Sequence, residues 1–308
     1  MSLAQLASQI TVIFLLMLLG ALAQRLGYLS STTINDLTNL ALYFLSPLVI
    51  IKAFLAPFSL GRLRLFFLTL LGVALTYLVT IAVAKLAFIR VKDHNLRRIA
   101  KYGSVYSNNG FMGLPLAQAL FGNLGVFYGV VSMVGFNAFT WTHGVAMFKH
   151  QATTPLSRLK EVLKNPNLIA IGLGLIIFIS QLKVPSVVTS FLGYASNAFT
   201  PLSMIIIGSN LAQIKKDDLN LPPVLWATIF LRNLAFPTIA IVILKLLGIG
   251  GVPLMTTVIL AACPVAGLVV LFTLQAKGDA RPATVVMSVS TLLSLITIPL
   301  VFSLLRLF

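Results

Sequence analysis

Ser107-Asn108-Asn109-Gly110-Phe111-Met112-Gly113-Leu114-Pro115 interrupts an apolar stretch, residues 98–121, that would otherwise be an ordinary membrane-spanning helix. Inside a bilayer every backbone N–H and C=O needs a partner. A helix therefore opens at that depth only where protein or a water-filled cavity satisfies the freed groups. Gly110 and Gly113 let the backbone leave helical geometry or approach another segment closely. Asn108 and Asn109 offer amide donors and carbonyl acceptors to a ligand or to opened backbone. Small residues also suit a packing kink at a tight helix crossing, but packing does not call for two adjacent asparagines at mid-span. The run reads as a binding site.

The surrounding chain fixes the solvent. Of 308 residues, 58% are hydrophobic and 9% charged, with a mean hydropathy of +1.01, which excludes a soluble enzyme. Apolar stretches fall near residues 5–24, 33–55, 66–89, 98–121, 125–148, 167–182, 187–212, 222–247, 253–276 and 282–306, so ten spans are expected. Ala21-Leu22-Ala23 looks like a signal-peptidase site, but no Lys or Arg precedes Arg25, and the segment reads as a first span.

The net charge of +16 does not point to nucleic acid, because the basic residues sit in short connections between spans. With an external N-terminus, the cytoplasmic connections carry Arg25, Arg90, Lys92, Arg97, Arg98, Lys101, Lys149, Arg158, Lys160, Lys164, Lys215, Lys216, Lys277 and Arg281. The other side carries Arg62, Arg64, Lys183 and Arg306. Fourteen against four places both termini on the non-cytoplasmic face of the cell (inner) membrane by the positive-inside rule. The single cysteine, Cys263, excludes an intrachain disulfide.

The halves resemble each other. Phe44-Leu45-Ser46-Pro47-Leu48 recurs as Ala198-Phe199-Thr200-Pro201-Leu202, Thr80 to Leu86 recurs as Ala240 to Leu246, and Pro115 corresponds to Pro264. Five spans is an odd number, so the second copy enters from the opposite side. The expected fold is thus an all-α polytopic membrane protein of ten transmembrane helices in two inverted five-helix repeats, with the fourth and ninth helices broken. Residues 1–148 form the first repeat, 149–166 a cytoplasmic linker and 167–308 the second repeat.

Where two broken helices cross, the N-termini of their second halves present N–H groups and positive dipole ends, for which an anion is the natural guest. Pro264 follows Cys263 in a run of small residues suited to that crossing. Arg232 lies about 15 Å along the eighth span; it either serves the site, or snorkels or pairs with backbone carbonyls. Asn137 and His143 in the fifth span either line the same cavity or make interhelical hydrogen bonds. Asp36, Asp93, Glu161, Asp217, Asp218 and Asp279 are the only acids, and just Asp36 lies within a span. A proton relay built on paired aspartates is thereby disfavoured, leaving His143 as the mid-span group that titrates near neutrality.

With these residues the chain resembles the auxin efflux carrier family in its short bacterial form. Asn108 followed by Gly113-Leu114-Pro115-Leu116 is similar to the Asn…Gly-Ile-Pro-Leu pattern of plant PIN-type carriers. Ile34-Asn35 with Pro47, Arg232 with Pro237, Ala262-Cys263-Pro264 and Ile298-Pro299-Leu300 add to it. The long cytoplasmic loop of the plant carriers is absent. The resemblance implies a homodimer, a scaffold of spans 1, 2, 6 and 7, and a mobile transport unit of spans 3–5 and 8–10. It further implies elevator-like transport of a small organic anion, such as a carboxylate, with Asn108 and Pro115 at the crossover and Pro264 as partner. Asn109, Gly110 and Cys263 are weaker candidates. No cofactor or metal is implied.

Two other classes stay open from the residues. A channel or a sodium-coupled symporter of the bile-acid-transporter type would use Asn side chains and unwound carbonyls. An intramembrane enzyme finds little support, since the chain has neither a His-Glu-x-x-His nor a Gly-x-Ser-x-Gly motif.

Overall fold

The structure, a computed structural model, describes residues 3–148, 165–213 and 221–307. The helices are α1 (Leu3–Arg25), α2 (Ser31–Ala53), α3 (Leu60–Ala87), α4 (His94–Val105), α5 (Asn109–Gly144), α6 (Pro166–Ser180), α7 (Ser186–Leu211), α8 (Pro223–Leu246), α9 (Gly251–Ala262), α10 (Leu268–Gln275) and α11 (Arg281–Leu307). Among the described residues no strand forms beyond one isolated bridge. Lys149, Arg158, Lys160, Glu161, Lys164, Lys215, Lys216, Asp217 and Asp218, with most of the expected linker, lie outside the described residues.

Among those residues seven helices, α1, α2, α3, α5, α7, α8 and α11, are long and apolar enough to cross a membrane. The chain is therefore an all-α polytopic membrane protein. The number is smaller than the ten apolar stretches of the sequence for local reasons. The stretches at 98–121 and 253–276 are each split by a break, and α6 has 15 residues where about 20 are needed to span hydrocarbon unaided. The 36-residue α5 turns at Gly122, whose φ of 60° and ψ of −147° leave helical geometry. That position separates the expected fourth and fifth stretches.

Proline shapes the helices in a regular way. Three widened π-turns, Ala41–Leu45, Asn109–Gly113 and Leu231–Ala235, each end two residues before a proline, at Pro47, Pro115 and Pro237. A proline has no N–H to give and its ring crowds the carbonyl four residues back, so the preceding turn expands and the helix bends. Helices α3 and α4 start with side-chain caps: Ser59 Oγ accepts from Arg62 N at 3.1 Å and Asp93 Oδ1 from Leu96 N at 2.9 Å.

Helix α1 packs on α7 at very close range. A Cβ at Gly208 would overlap the Met17 backbone and one at Gly20 the Ile205 backbone, and Ser209 Oγ donates to Gly20 O at 3.0 Å. Small residues allow this approach, and close packing takes the place of the hydrophobic effect in lipid. Helix α2 packs on both α6 and α7, and Phe54, which caps the end of α2, lies against Phe178 of α6 and Phe127 of α5. Leu15, Leu18 and Leu19 of α1, Phe67 and Leu78 of α3, and Leu173 and Ile176 of α6 remain exposed on the outer surface, as lipid-facing side chains do.

Candidate substrate site at two broken helices

Helix α4 stops at Val105 and α5 starts at Asn109; α9 stops at Ala262 and α10 starts at Leu268. The two connecting segments lie antiparallel and exchange backbone hydrogen bonds. Asn108 N donates to Pro264 O at 2.8 Å, Ala266 N donates to Tyr106 O at 3.0 Å, and Ser107 pairs with Val265 between them. Each break thereby satisfies groups that the other has freed, which is the condition for opening a helix away from water. Side chains complete the accounting. Asn108 Oδ1 accepts from Phe111 N at 3.3 Å, capping α5, and Ser290 Oγ accepts from Val265 N at 3.1 Å while donating to Asn233 Oδ1 at 2.8 Å.

The crossing has a polarity. Helices α4 and α9 end there, and their last carbonyls carry the negative end of the dipole. Arg232, in the widened turn of α8 and only 3% exposed, binds both ends. Its Nη1 donates to Ser104 O at 3.1 Å and Val105 O at 2.5 Å, and its Nη2 donates to Ala261 O. Helices α5 and α10 begin on the other side, and their starts, residues 108–111 and 266–268, line a cavity of about 520 Å³. Two positive dipole ends thus face this cavity, and one buried cation holds the two negative ends.

This cavity lies between two groups of helices. Thr38 and Leu42 of α2, Asn165, Pro166 and Asn167 at the start of α6, and Ile206 and Asn210 of α7 form one wall. The helix breaks, Met133, Asn137 and Trp141 of α5, and Met287 and Thr291 of α11 form the other. Asn165 Nδ2 joins the walls by donating to Asn137 Oδ1 at 3.1 Å.

Four of the residues singled out in the sequence, Asn108, Asn109, Gly110 and Asn137, line the cavity. Asn109 is buried, accepts from Ser107 Oγ at 2.8 Å, and also borders a second, smaller pocket. Pro264 sits at the crossing, but its partner there is Asn108 rather than Pro115. Pro115 lies more than a turn into α5 and lines neither space, because a proline widens the turn before it and the break falls still earlier. Cys263 is fully buried in an apolar cluster and lines neither. Arg232 takes the carbonyl-pairing alternative and borders the smaller pocket. His143 packs away from the cavity, its Nδ1 2.9 Å from Tyr106 Oη.

The sequence reading missed Thr38, Asn165, Asn167, Asn210 and Thr291 in the large cavity and Tyr77, Ser132 and Thr257 in the small one. Asn165-Pro166-Asn167 carried a usable signal, a capping residue followed by proline at a helix start. The isolated Ser and Thr residues carried none, since most such side chains bond their own helix four residues back, as Thr76, Thr80 and Thr228 do here.

An uncharacterized transporter of Methanocaldococcus jannaschii is 27% identical over 213 residues, covering 66% of this chain and 68% of that protein. The sequence pattern of the family described as membrane transport protein matches residues 6–302. The chain therefore belongs to the membrane transport protein family, the auxin efflux carrier family.

Proposed function

We propose that this protein is a secondary carrier of small organic anions, carboxylates in particular. The observation that carries the reading is the pair of helix N-termini, at residues 108–111 and 266–268, opening onto one cavity. Backbone N–H groups and dipole ends favour an anion there, and Asn108, Asn109 and Asn137 supply directional amide contacts. Arg232 weighs against the sodium-coupled alternative. Its guanidinium occupies the carbonyls of Ser104, Val105 and Ala261 at the opened helix ends, groups of the kind a coupling cation uses.

In this reading the chain has ten spans in two inverted repeats, residues 1–148 and 167–308, joined by a cytoplasmic linker at 149–166. The antiparallel pairing of the two breaks supports the inversion. Spans 1, 2, 6 and 7 form the scaffold of a homodimer in the inner membrane, and spans 3–5 and 8–10 form the unit that moves. The cavity lies along that boundary, which is where an elevator-like displacement requires it. With both termini outside, Asn165, Asn210 and Thr38 border cytoplasmic connections, so the cavity faces the cytoplasm. On the outer side Ile10, Ile13, Met17 and Met204 pack with Met112, Leu116 and Ile298 into an apolar seal.

Counterflow tests this reading. Proteoliposomes preloaded with an unlabelled dicarboxylate should accumulate the labelled compound transiently and saturably. A linear, unsaturable flux would instead mark a channel, and chemical alteration of the compound would mark an enzyme.

A further inference from the structure

The small pocket behind the crossing is a second site, and its chemistry differs from that of the large cavity. It has a volume of about 30 Å³ and is walled by Ser107, Asn109, Ser132, Arg232 and Thr257, by Thr76, Tyr77 and Thr80 of α3, and by apolar side chains. Arg232 Nε, Ser132 Oγ and Thr257 Oγ1 are all buried without a hydrogen-bond partner. Orphaned buried donors are uncommon because each costs about 1–3 kcal/mol when left unmade. Here three of them border one space of roughly the size that holds a single water or small ion.

The charge of that space decides between occupants. Arg232 is 3% exposed, and no carboxylate side chain lies among the residues that wall the pocket. Its two Nη groups donate to the carbonyls of Ser104, Val105 and Ala261, and its Nε–H has no partner. A cation is repelled by the guanidinium. Water would fill the volume but bring no charge, and the carbonyls and helix ends that Arg232 meets carry only partial negative charge against its full positive one. A monatomic anion satisfies the Nε–H and both hydroxyl donors and neutralises the charge.

We infer that this pocket is a halide site, in which chloride serves as the counter-ion of Arg232. It is separated from the large cavity by Asn109, whose side chain borders both spaces. It does not depend on what the large cavity carries.

Bromide supplies the direct test. Crystals of the purified protein grown in bromide should show an anomalous peak within hydrogen-bond distance of Arg232 Nε; a peak absent there would overturn the inference. In solution, replacing gluconate by chloride at constant ionic strength should raise the melting temperature saturably. Thr257→Val and Ser132→Ala, which leave the guanidinium bonds to the helix ends intact, should each weaken the apparent chloride affinity about tenfold or more, as expected for a lost hydrogen bond to an ion. Equal melting temperatures in chloride and gluconate, or unchanged chloride affinity in both variants, would mean that the pocket holds only water. Loss of the chloride effect in saturating dicarboxylate would mean that the pocket takes a carboxylate of the transported compound, and a separate halide site would be excluded.

Discussion

Asn108 and Pro264, 156 positions apart in the sequence, are joined by a backbone hydrogen bond of 2.8 Å from the amide of the first to the carbonyl of the second. Proline has no N–H but keeps its carbonyl, and the capping asparagine keeps its amide free because α5 has only begun. Each residue type therefore contributes the group that its position leaves available.

Asn108 is placed to act on substrate and on local structure at once. Asn108→Ala should cost about 1 kcal/mol of stability, the usual loss of a helix cap. Flux at low substrate should fall by about tenfold, as for a lost polar contact to an anion. Pro115→Ala, which removes a ring outside the cavity wall, should leave the KM near that of the parent. Initial rates in proteoliposomes, set beside melting temperatures of the same preparations, check both. A KM change in Pro115→Ala as large as in Asn108→Ala would move the binding surface toward the α5 interior.

Arg232 should behave as a structural cation. Arg232→Gln leaves carbonyls of α4 and α9 unsatisfied, at about 1–3 kcal/mol each. A marked fall in melting temperature and in monodisperse yield is expected. Arg232→Lys should recover little, since a single ammonium cannot reproduce the fork that spans two helix ends. A stable Arg232→Gln protein with only weakened substrate affinity would instead make Arg232 a direct substrate contact.

The α1–α7 contact tolerates no added atom at its centre. Gly208→Ala places a methyl group against the Met17 backbone, and overpacking of this kind costs about 1–3 kcal/mol. A melting temperature equal to that of the parent would show that the two helices can separate, and would argue against α1 and α7 as a rigid support.

The orientation in the membrane is open to chemical labelling. In a Cys263→Ala background, a cysteine added after Phe308 should react with an impermeant maleimide in intact right-side-out vesicles. Reaction only after permeabilisation would invert the topology and turn the large cavity outward.

Much of the fold was legible because lipid imposes a simple rule: apolar length reports helices, and proline with asparagine in mid-span reports a break. Asn108, Asn109, Gly110 and Pro264 stand out in the sequence for that reason. Pro115 lies past the opening it marks, because proline disturbs the turn before it. Arg232 could not be assigned between charge and packing until the ends of α4 and α9 were seen together, because a buried arginine looks the same in sequence whichever groups it meets. Asn165 and Asn210 reach the cavity from distant helices, a juxtaposition that no local pattern encodes.

The central claim, an anion carrier that needs no coupling cation, is tested most directly by dicarboxylate uptake into proteoliposomes. The pH and sodium gradients are clamped to zero while the membrane potential is varied. An anion crossing 100 mV gains or loses about 2.3 kcal/mol per charge, so uptake should follow the potential with neither gradient present. It should persist in His143→Gln, whose parent side chain packs on Tyr106 away from the cavity. Uptake that stops without a sodium gradient would contradict the account and favour a symporter.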